Sequence, residues 1–242
     1  MNDNAMSVLQ HLGELKRRLV RVAIVAVVFI AIAIAFYVQI FEVFTDTARR
    51  LIVDADGVVA VQRITEGWVV AAKLAILVGL VAAFPYFMWE LAMFFKPGLK
   101  SGERKYIFLL VPASMAMFAL GAAFSWFILI PRLVEFLLRL SQPIGDPLIT
   151  VGPLVGLMVT IMFWLGIIFE IPIFMFLLAK MGILTSGWVK TKRRWMILIS
   201  FIFGAVATPT DPISQLIVAG PTWLLFEIGM LLVKLAERGQ TE

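Results

Sequence analysis

Four stretches of this chain, residues 20–41, 68–95, 107–131 and 153–179, are almost unbroken runs of apolar side chains. A helix rises about 1.5 Å per residue and the hydrocarbon core of a bilayer is about 30 Å thick, so each run is long enough to cross as a helix. Hydrocarbon offers no water to backbone N–H and C=O groups, so a chain with several such runs folds as helices packed side by side. Two further runs are less regular. Residues 195–208, "WMILISFIFGAVAT", rise only about 21 Å as a helix, which predicts a half-length helix buried in the bundle or a locally thinned bilayer. Residues 213–233 are interrupted by Pro221 and contain Gln215 and Glu227. With 62% hydrophobic and 15% charged residues among 242, the chain is predicted to be an all-α, polytopic membrane protein. It is read as a single membrane domain over 1–242 with six transmembrane helices, preceded by an interfacial segment over 1–19.

The net charge of +5 matters less than its distribution. Six spans put both termini on one side. On that side lie Lys16, Arg17, Arg18 and Arg21 of the N-terminal tail, the bases of the 96–106 and 180–194 loops, and Lys234 and Arg238. These are fifteen basic residues; the opposite side has five, Arg49, Arg50, Arg63, Arg132 and Arg139, and Lys73 falls inside a span. Cytoplasmic loops carry the excess of Lys and Arg, which predicts a multi-pass protein of the cytoplasmic (inner) membrane with both termini cytoplasmic and an affinity for anionic membrane lipid. No RNP, zinc-finger or helix-turn-helix pattern points to nucleic acid. The first 18 residues are too polar for a secretory signal, so none is expected to be removed. Residues 42–67 are long enough for a short helix over the outer face, and Pro143, Gly145 and Pro147 favour an ordered turn within 132–152.

Few residues could do covalent chemistry. There is no cysteine, so neither a disulfide nor a thiolate site is possible, and the one histidine, His11, lies in the polar tail. No GxSxG elbow or HExxH pair is present. The chain is expected not to be an enzyme and to need no cofactor or metal.

The acids are more informative. In "SVLQHLGELKRRLVR", Val8, Leu12, Leu15 and Leu19 share one helical face, while Lys16, Arg17 and Arg18 can snorkel to phosphates. Glu14 either pairs with Arg18 at i+4 or faces an incoming cation. In the loop "FFKPGLKSGERKY", Pro97 and Gly98 end the second span; Glu103 is either a solvated loop charge or an acceptor for a bidentate guanidinium. Glu90, Glu170 and Glu227 lie in the membrane interior, where a charged carboxylate facing lipid costs a few kcal/mol or more (~2.5 and upward). Pro172 predicts a kink beside Glu170 and frees the Ile168 carbonyl. Glu170 is either a protonated acid bonded to a neighbouring helix or a polar docking point inside the bilayer. Asp211 and Gln215 sit in "ATPTDPISQ", where Pro209 and Pro212 keep the last two helices apart.

A series of segments then resembles one family. "HLGELKRRL", "AAFPYFMWELAMFFKPGL" with the following "ERK", "FALGAAFSWFILIPRLVEFLL", "FWLGIIFEIPI", "GILTSGWVKTKRRW", "GAVATPTDPISQ" and "GPTWLLFEIG" resemble, in order and spacing, the TatC family, the multispan core of the twin-arginine protein translocase. The chain departs from the family pattern at four positions: Lys16 for a usual arginine, Gly67 for a common proline, Glu90 for a frequent glutamine and Trp126 for a usual tyrosine.

The resemblance implies a glove-like six-helix bundle with a concave face and two short final helices. It implies a receptor for signal peptides bearing paired arginines, assembled in an oligomeric complex with single-span TatA/TatB-type subunits. That complex moves folded proteins and is powered by the proton gradient. By this resemblance Glu14 and Glu103 belong to the signal-peptide site, Glu170 is the membrane glutamate, and Asp211 and Gln215 form the polar turn between the last two helices. The rival class is a small-solute or ion-coupled secondary transporter, which would also use intramembrane carboxylates and broken helices. Against it stand the absence of an internal repeat and the surface placement of Glu14 and Glu103.

Overall fold

The structure is a computed structural model that describes residues 8–54, 58–60, 66–96, 106–141, 148–207 and 212–238. Helix α1 (Val8–Ala35) carries the interfacial segment into the first apolar run. It continues almost without interruption into α2 (Tyr37–Asp54), because the Phe36 amide donates to Ile32 and its carbonyl accepts from Ile40. The change from membrane helix to surface helix is written in the side chains: Phe44, Ala48 and Ile52, spaced i, i+4, i+8, are buried, while Glu42, Asp46, Arg49 and Arg50 are exposed. A surface helix is therefore present over the first part of the 42–67 segment, where the sequence allows one. It leads to a three-residue strand β1 (Val58–Ala60), which pairs in parallel with β2 (Leu148–Thr150), Val58 opposite Leu148 and Ala60 opposite Thr150. This ribbon is the one departure from an otherwise all-helical chain among the described residues.

Helix α3 (Glu66–Phe95) returns across the bundle. Helix α4 (Tyr106–Phe124) passes through a π turn at Ser125–Leu129 into α5 (Ile130–Ser141). The wider turn sits just before Pro131, which has no N–H to donate, and the Ser125 hydroxyl returns a bond to the Gly121 carbonyl at 2.8 Å. The expected turn over 132–152 is corrected for its first half. Leu133, Val134 and Leu138 form a buried helical stripe that holds α5 to Ser141, and the three turn-forming residues lie outside the described set. Helix α6 (Val151–Phe169) and α7 (Ile171–Lys180) form one broken rod with its joint at Glu170, the kink Pro172 predicts. Helices α8 (Ser186–Thr191), α9 (Arg193–Ala207) and α10 (Pro212–Arg238) complete the chain.

Among the described residues, five helical runs are long and apolar enough to cross a membrane: Gly13–Ala35, Gly67–Phe95, Phe108–Arg139, Val151–Lys180 and Gln215–Arg238. Helix α9 has 15 residues, about 22 Å, and is the half-length element. The last helix is not short, contrary to the implication of the resemblance: α10 has 27 residues, about 40 Å. Pro221 is absorbed because only one ladder bond is lost, and the neighbouring Thr222 hydroxyl donates to Val218 at 2.8 Å.

Apolar side chains such as Val20, Ile24, Val27 and Ile32 are left exposed on the outer face of α1, which packs mainly on α3. Such a surface is stable against lipid tails, and helix association then depends on close packing. That packing is clearest between α4 and α6. A methyl at Gly121 would lie 2.7 Å from the Leu165 carbonyl oxygen, and one at Gly166 would lie 2.5 Å from the Phe118 ring. The main core runs through α3, α5 and α6, with Leu74, Leu133, Val155, Ile161 and Leu165 fully buried, and a smaller one joins α7 to α10 through Met175, Phe226 and Val233. The course of the chain brings the start of α1, the end of α3, the end of α7 and the end of α10 to one end of the bundle, the near end. The β ribbon marks the far end.

Candidate functional site

At the near end the contact of α1 with α3 assembles a charged cluster. Arg18 lies one turn after Glu14 and gives it two bonds, Nε and Nη2 to Oε1 at 2.9 and 2.5 Å. Its remaining arm, Nη1, reaches across to Glu90 Oε2 on α3 at 2.7 Å. Arg21, three residues on along the same face, meets Glu90 Oε1 at 2.9 Å, and the Tyr86 hydroxyl, one turn before Glu90, donates to the same oxygen at 2.9 Å. Glu90 is only 4% exposed; it is held as a charge by two guanidiniums and a hydroxyl, the condition under which a buried carboxylate is tolerated. Glu14 is less complete. Its Oε2 is buried and has no hydrogen-bond partner among the described residues.

The cluster opens into the bundle. A narrow cleft beside Arg18 and Glu90 is walled by Leu15, Val22, Phe87 and Phe94. Val22 and Phe87 also line a larger cavity of about 350 Å³ between α1, α3 and α6, whose other walls include Ala83, Phe84 and Phe163. At its far wall is Glu170. One carboxylate, Glu90, therefore lines the cleft, apolar side chains continue from it into the cavity, and one interior acid, Glu170, lines that cavity.

Glu170 is 2% exposed. Its position follows from the joint between α6 and α7, where its carbonyl accepts from Ile173 and Phe174, both at 3.0 Å, and from the glycine-mediated approach of α4. That approach brings Ser114, fully buried, close enough for its hydroxyl to donate to Glu170 Oε2 at 2.5 Å. The other oxygen, Oε1, is buried without a partner among the described residues. Glu170 is thus bonded to a neighbouring helix through one oxygen, while its residue also lines the cavity.

The other acids are placed differently. Glu227 is tied to Arg193 at the start of α9, through Nε at 2.6 Å and Nη2 at 2.5 Å, with Arg193 stacked 5.9 Å from the Trp223 ring centroid. Gln215 donates from Nε2 to the Phe201 carbonyl at 2.7 Å and stitches the start of α10 to α9, where Gly204 meets the Gln215 backbone without room for a methyl. Glu103 and Asp211 lie outside the described residues. Of the residues singled out from sequence, Glu170 lines the cavity and Glu90 the cleft, Glu14 is joined to the cleft through Arg18, and Gln215 lies apart on α9 and α10.

The model of the family described as "Sec-independent protein translocase protein (TatC)" matches residues 10–221. The chain belongs to the TatC family. TatC of Carboxydothermus hydrogenoformans is 29% identical, covering 97% of this chain and 95% of the relative. TatCy of Bacillus subtilis is 31% identical over 98% and 92%, and TatC of Aquifex aeolicus 30% identical over 98% of each. A crystal structure described as the twin arginine translocase receptor TatC superposes with a TM-score of 0.84 at 30% identity, covering 94% of this chain and 99% of that one. Similarity this extensive makes the chain a polytopic membrane protein of a protein translocase, with the family's transport role.

Three residues of this arrangement have no role assigned from the sequence. For Glu90 the sequence shows a membrane-interior acid and a departure from a frequent glutamine but no partner, although Tyr86 at i−4 and the arginine-rich face of α1 are visible in it. Arg21 was counted as a topology charge. The signal for Ser114 is its spacing: a hydroxyl seven residues before Gly121 in "ASMAMFALG" falls on the same helical face as that glycine.

Proposed function

We propose that this TatC chain is the signal-peptide receptor and scaffold of a twin-arginine translocase. In this reading it exports folded proteins across the cytoplasmic membrane with single-span TatA/TatB-type subunits, and the proton gradient drives the complex. It is a receptor and not an enzyme, embedded as one membrane domain with both termini cytoplasmic. The near end of the bundle then faces the cytoplasm, where a peptide arrives. The observation that carries the reading is Glu14, whose buried Oε2 has no hydrogen-bond partner among the described residues and whose Oε1 is bonded to Arg18, a wall of the cleft beside an apolar cavity. An open carboxylate oxygen accepts a guanidinium N–H, and the apolar walls beyond it suit the hydrophobic stretch of a signal peptide. Glu103 supplies the second acid of the recognition pair. Glu170, with Asp211 and Gln215 on the α9–α10 side, serves the single-span partners.

The test is signal-peptide affinity. A hydrogen bond to a charged group contributes about 1.5–3 kcal/mol, so Glu14→Ala or Glu103→Ala should weaken binding of a twin-arginine peptide roughly tenfold to a hundredfold. A twin-lysine peptide loses less, since lysine lacks the planar fork. Parental affinity in both variants places recognition elsewhere and defeats the proposal.

A further inference from the structure

Glu14 is occupied before any ligand arrives, and its occupant is a guanidinium of the same chain. Arg18 spends two of its nitrogens on Glu14 Oε1 and the third on Glu90 Oε2. We propose that Arg18 is a resident stand-in for the incoming arginine, and that Glu90 is the carboxylate that receives Arg18 when a peptide guanidinium claims Glu14. The proposal rests on the reading of Glu14 as a recognition residue and assigns to Glu90 control of its availability.

The geometry supports an exchange. Arg18 bridges two carboxylates, so releasing Glu14 does not strand it: five N–H donors in a rigid fork can turn onto Glu90. Glu90 cannot follow a ligand out, because Arg21 and Tyr86 hold its other oxygen and it is almost fully buried. Glu14 Oε2, which has no hydrogen-bond partner among the described residues, has acceptor capacity left for the incoming guanidinium as Arg18 turns away.

Charge points the same way. At rest the four side chains Glu14, Glu90, Arg18 and Arg21 sum to zero. One added guanidinium leaves the set at +1. With glutamine at position 90 it would stand at +2 in a partly buried site, where like charges are costly. Arg18 would then have Glu14 as its only carboxylate and would compete with the peptide for it. Glu90, the residue at which the sequence departs from the family resemblance, thus relieves autoinhibition of the site.

The experiment measures the affinity of a fluorescent twin-arginine signal peptide for the full chain in nanodiscs. Glu90→Gln should weaken binding about tenfold, the scale of one charge-assisted hydrogen bond, while Glu90→Asp, which keeps the charge, should bind within about threefold of the parent. Removing the competitor reverses the loss: Glu90→Gln combined with Arg18→Gln should recover affinity to within about threefold of the parent, a non-additive cycle expected of directly coupled groups. Arg18→Gln alone leaves Glu90 paired with Arg21 and Tyr86, and should bind at least as tightly as the parent. The proposal is overturned if Glu90→Gln binds as the parent does, if the double variant binds more weakly than Glu90→Gln, or if Arg18→Gln alone weakens binding. Glu14→Gln separates the two layers. If it binds normally, the recognition reading fails and this one with it. If it binds weakly while Glu90→Gln is unaffected, only the handover fails.

Discussion

The contact between α4 and α6 aims Ser114 at Glu170, and Gly121 is the residue on which that contact depends most. An alanine methyl there would meet the Leu165 carbonyl oxygen at 2.7 Å, Phe169 Cγ at 2.9 Å and Gly166 Cα at 3.0 Å. Two of the three obstacles are backbone atoms and cannot rotate aside, so the helices must part by several tenths of an ångström. Overpacking of this kind costs about 1–3 kcal/mol. Against it stands the intrinsic preference of a helix for alanine over glycine, about 0.8–1 kcal/mol. Gly156→Ala supplies the matched control, because position 156 lies within α6 and a methyl there meets only the end of the Lys73 side chain, at 3.7 Å. The preference cancels between the two variants, so Gly121→Ala should be less stable than Gly156→Ala by about 1–3 kcal/mol. Denaturant titration of the purified protein in one detergent, followed by tryptophan fluorescence, reads that difference as a shift in midpoint. If Gly121→Ala proves as stable as Gly156→Ala, the α4–α6 contact is looser than described, and the placement of Ser114 against Glu170 loses its support.

Glu170→Ala should leave signal-peptide binding near the parental value while lowering crosslinking to single-span subunits and export of folded cargo, since an interhelical hydrogen bond in a membrane is worth about 0.6–2 kcal/mol. Glu170→Gln should keep much of the export activity, because an amide still donates and accepts; a glutamine variant as inactive as alanine would indicate a required charge or proton transfer instead. Single cysteines introduced into this cysteine-free chain test orientation: an impermeant maleimide should label position 54 in intact cells and spare position 100, and the opposite pattern inverts the bundle.

Much of this architecture was legible from the chain alone. The long apolar runs gave the helices, because hydrocarbon leaves the backbone few alternatives. The α6–α7 joint followed from Pro172, and the half-length α9 from its residue count. Local reading failed where tertiary contacts decide. Pro221 looked like an interruption, but it sits inside α10 with Thr222 bonding back beside it. Residues after Arg132 looked like a turn, but a buried leucine and valine stripe extends α5. The pairing of Glu14 with Arg18 was visible as an i+4 spacing. The arm from Arg18 to Glu90 spans 72 residues of sequence, and a single sequence carries no record of which face of α3 meets α1. Ser114 and Glu170, separated by 56 residues, pose the same problem.

The central claim is that paired arginines of a signal peptide are received at the start of α1, and the most direct measurement is photocrosslinking from the peptide itself. A twin-arginine signal peptide carrying a photoreactive residue beside the arginine pair is irradiated with membranes containing the chain, and the adducts are mapped by mass spectrometry. The account predicts adducts within residues 13–19 of α1 and 87–94 of α3, lost on Glu14→Gln and sharply reduced for a twin-lysine peptide. Adducts at the β ribbon or at the α9–α10 junction, or equal yields from the twin-lysine peptide, would contradict it.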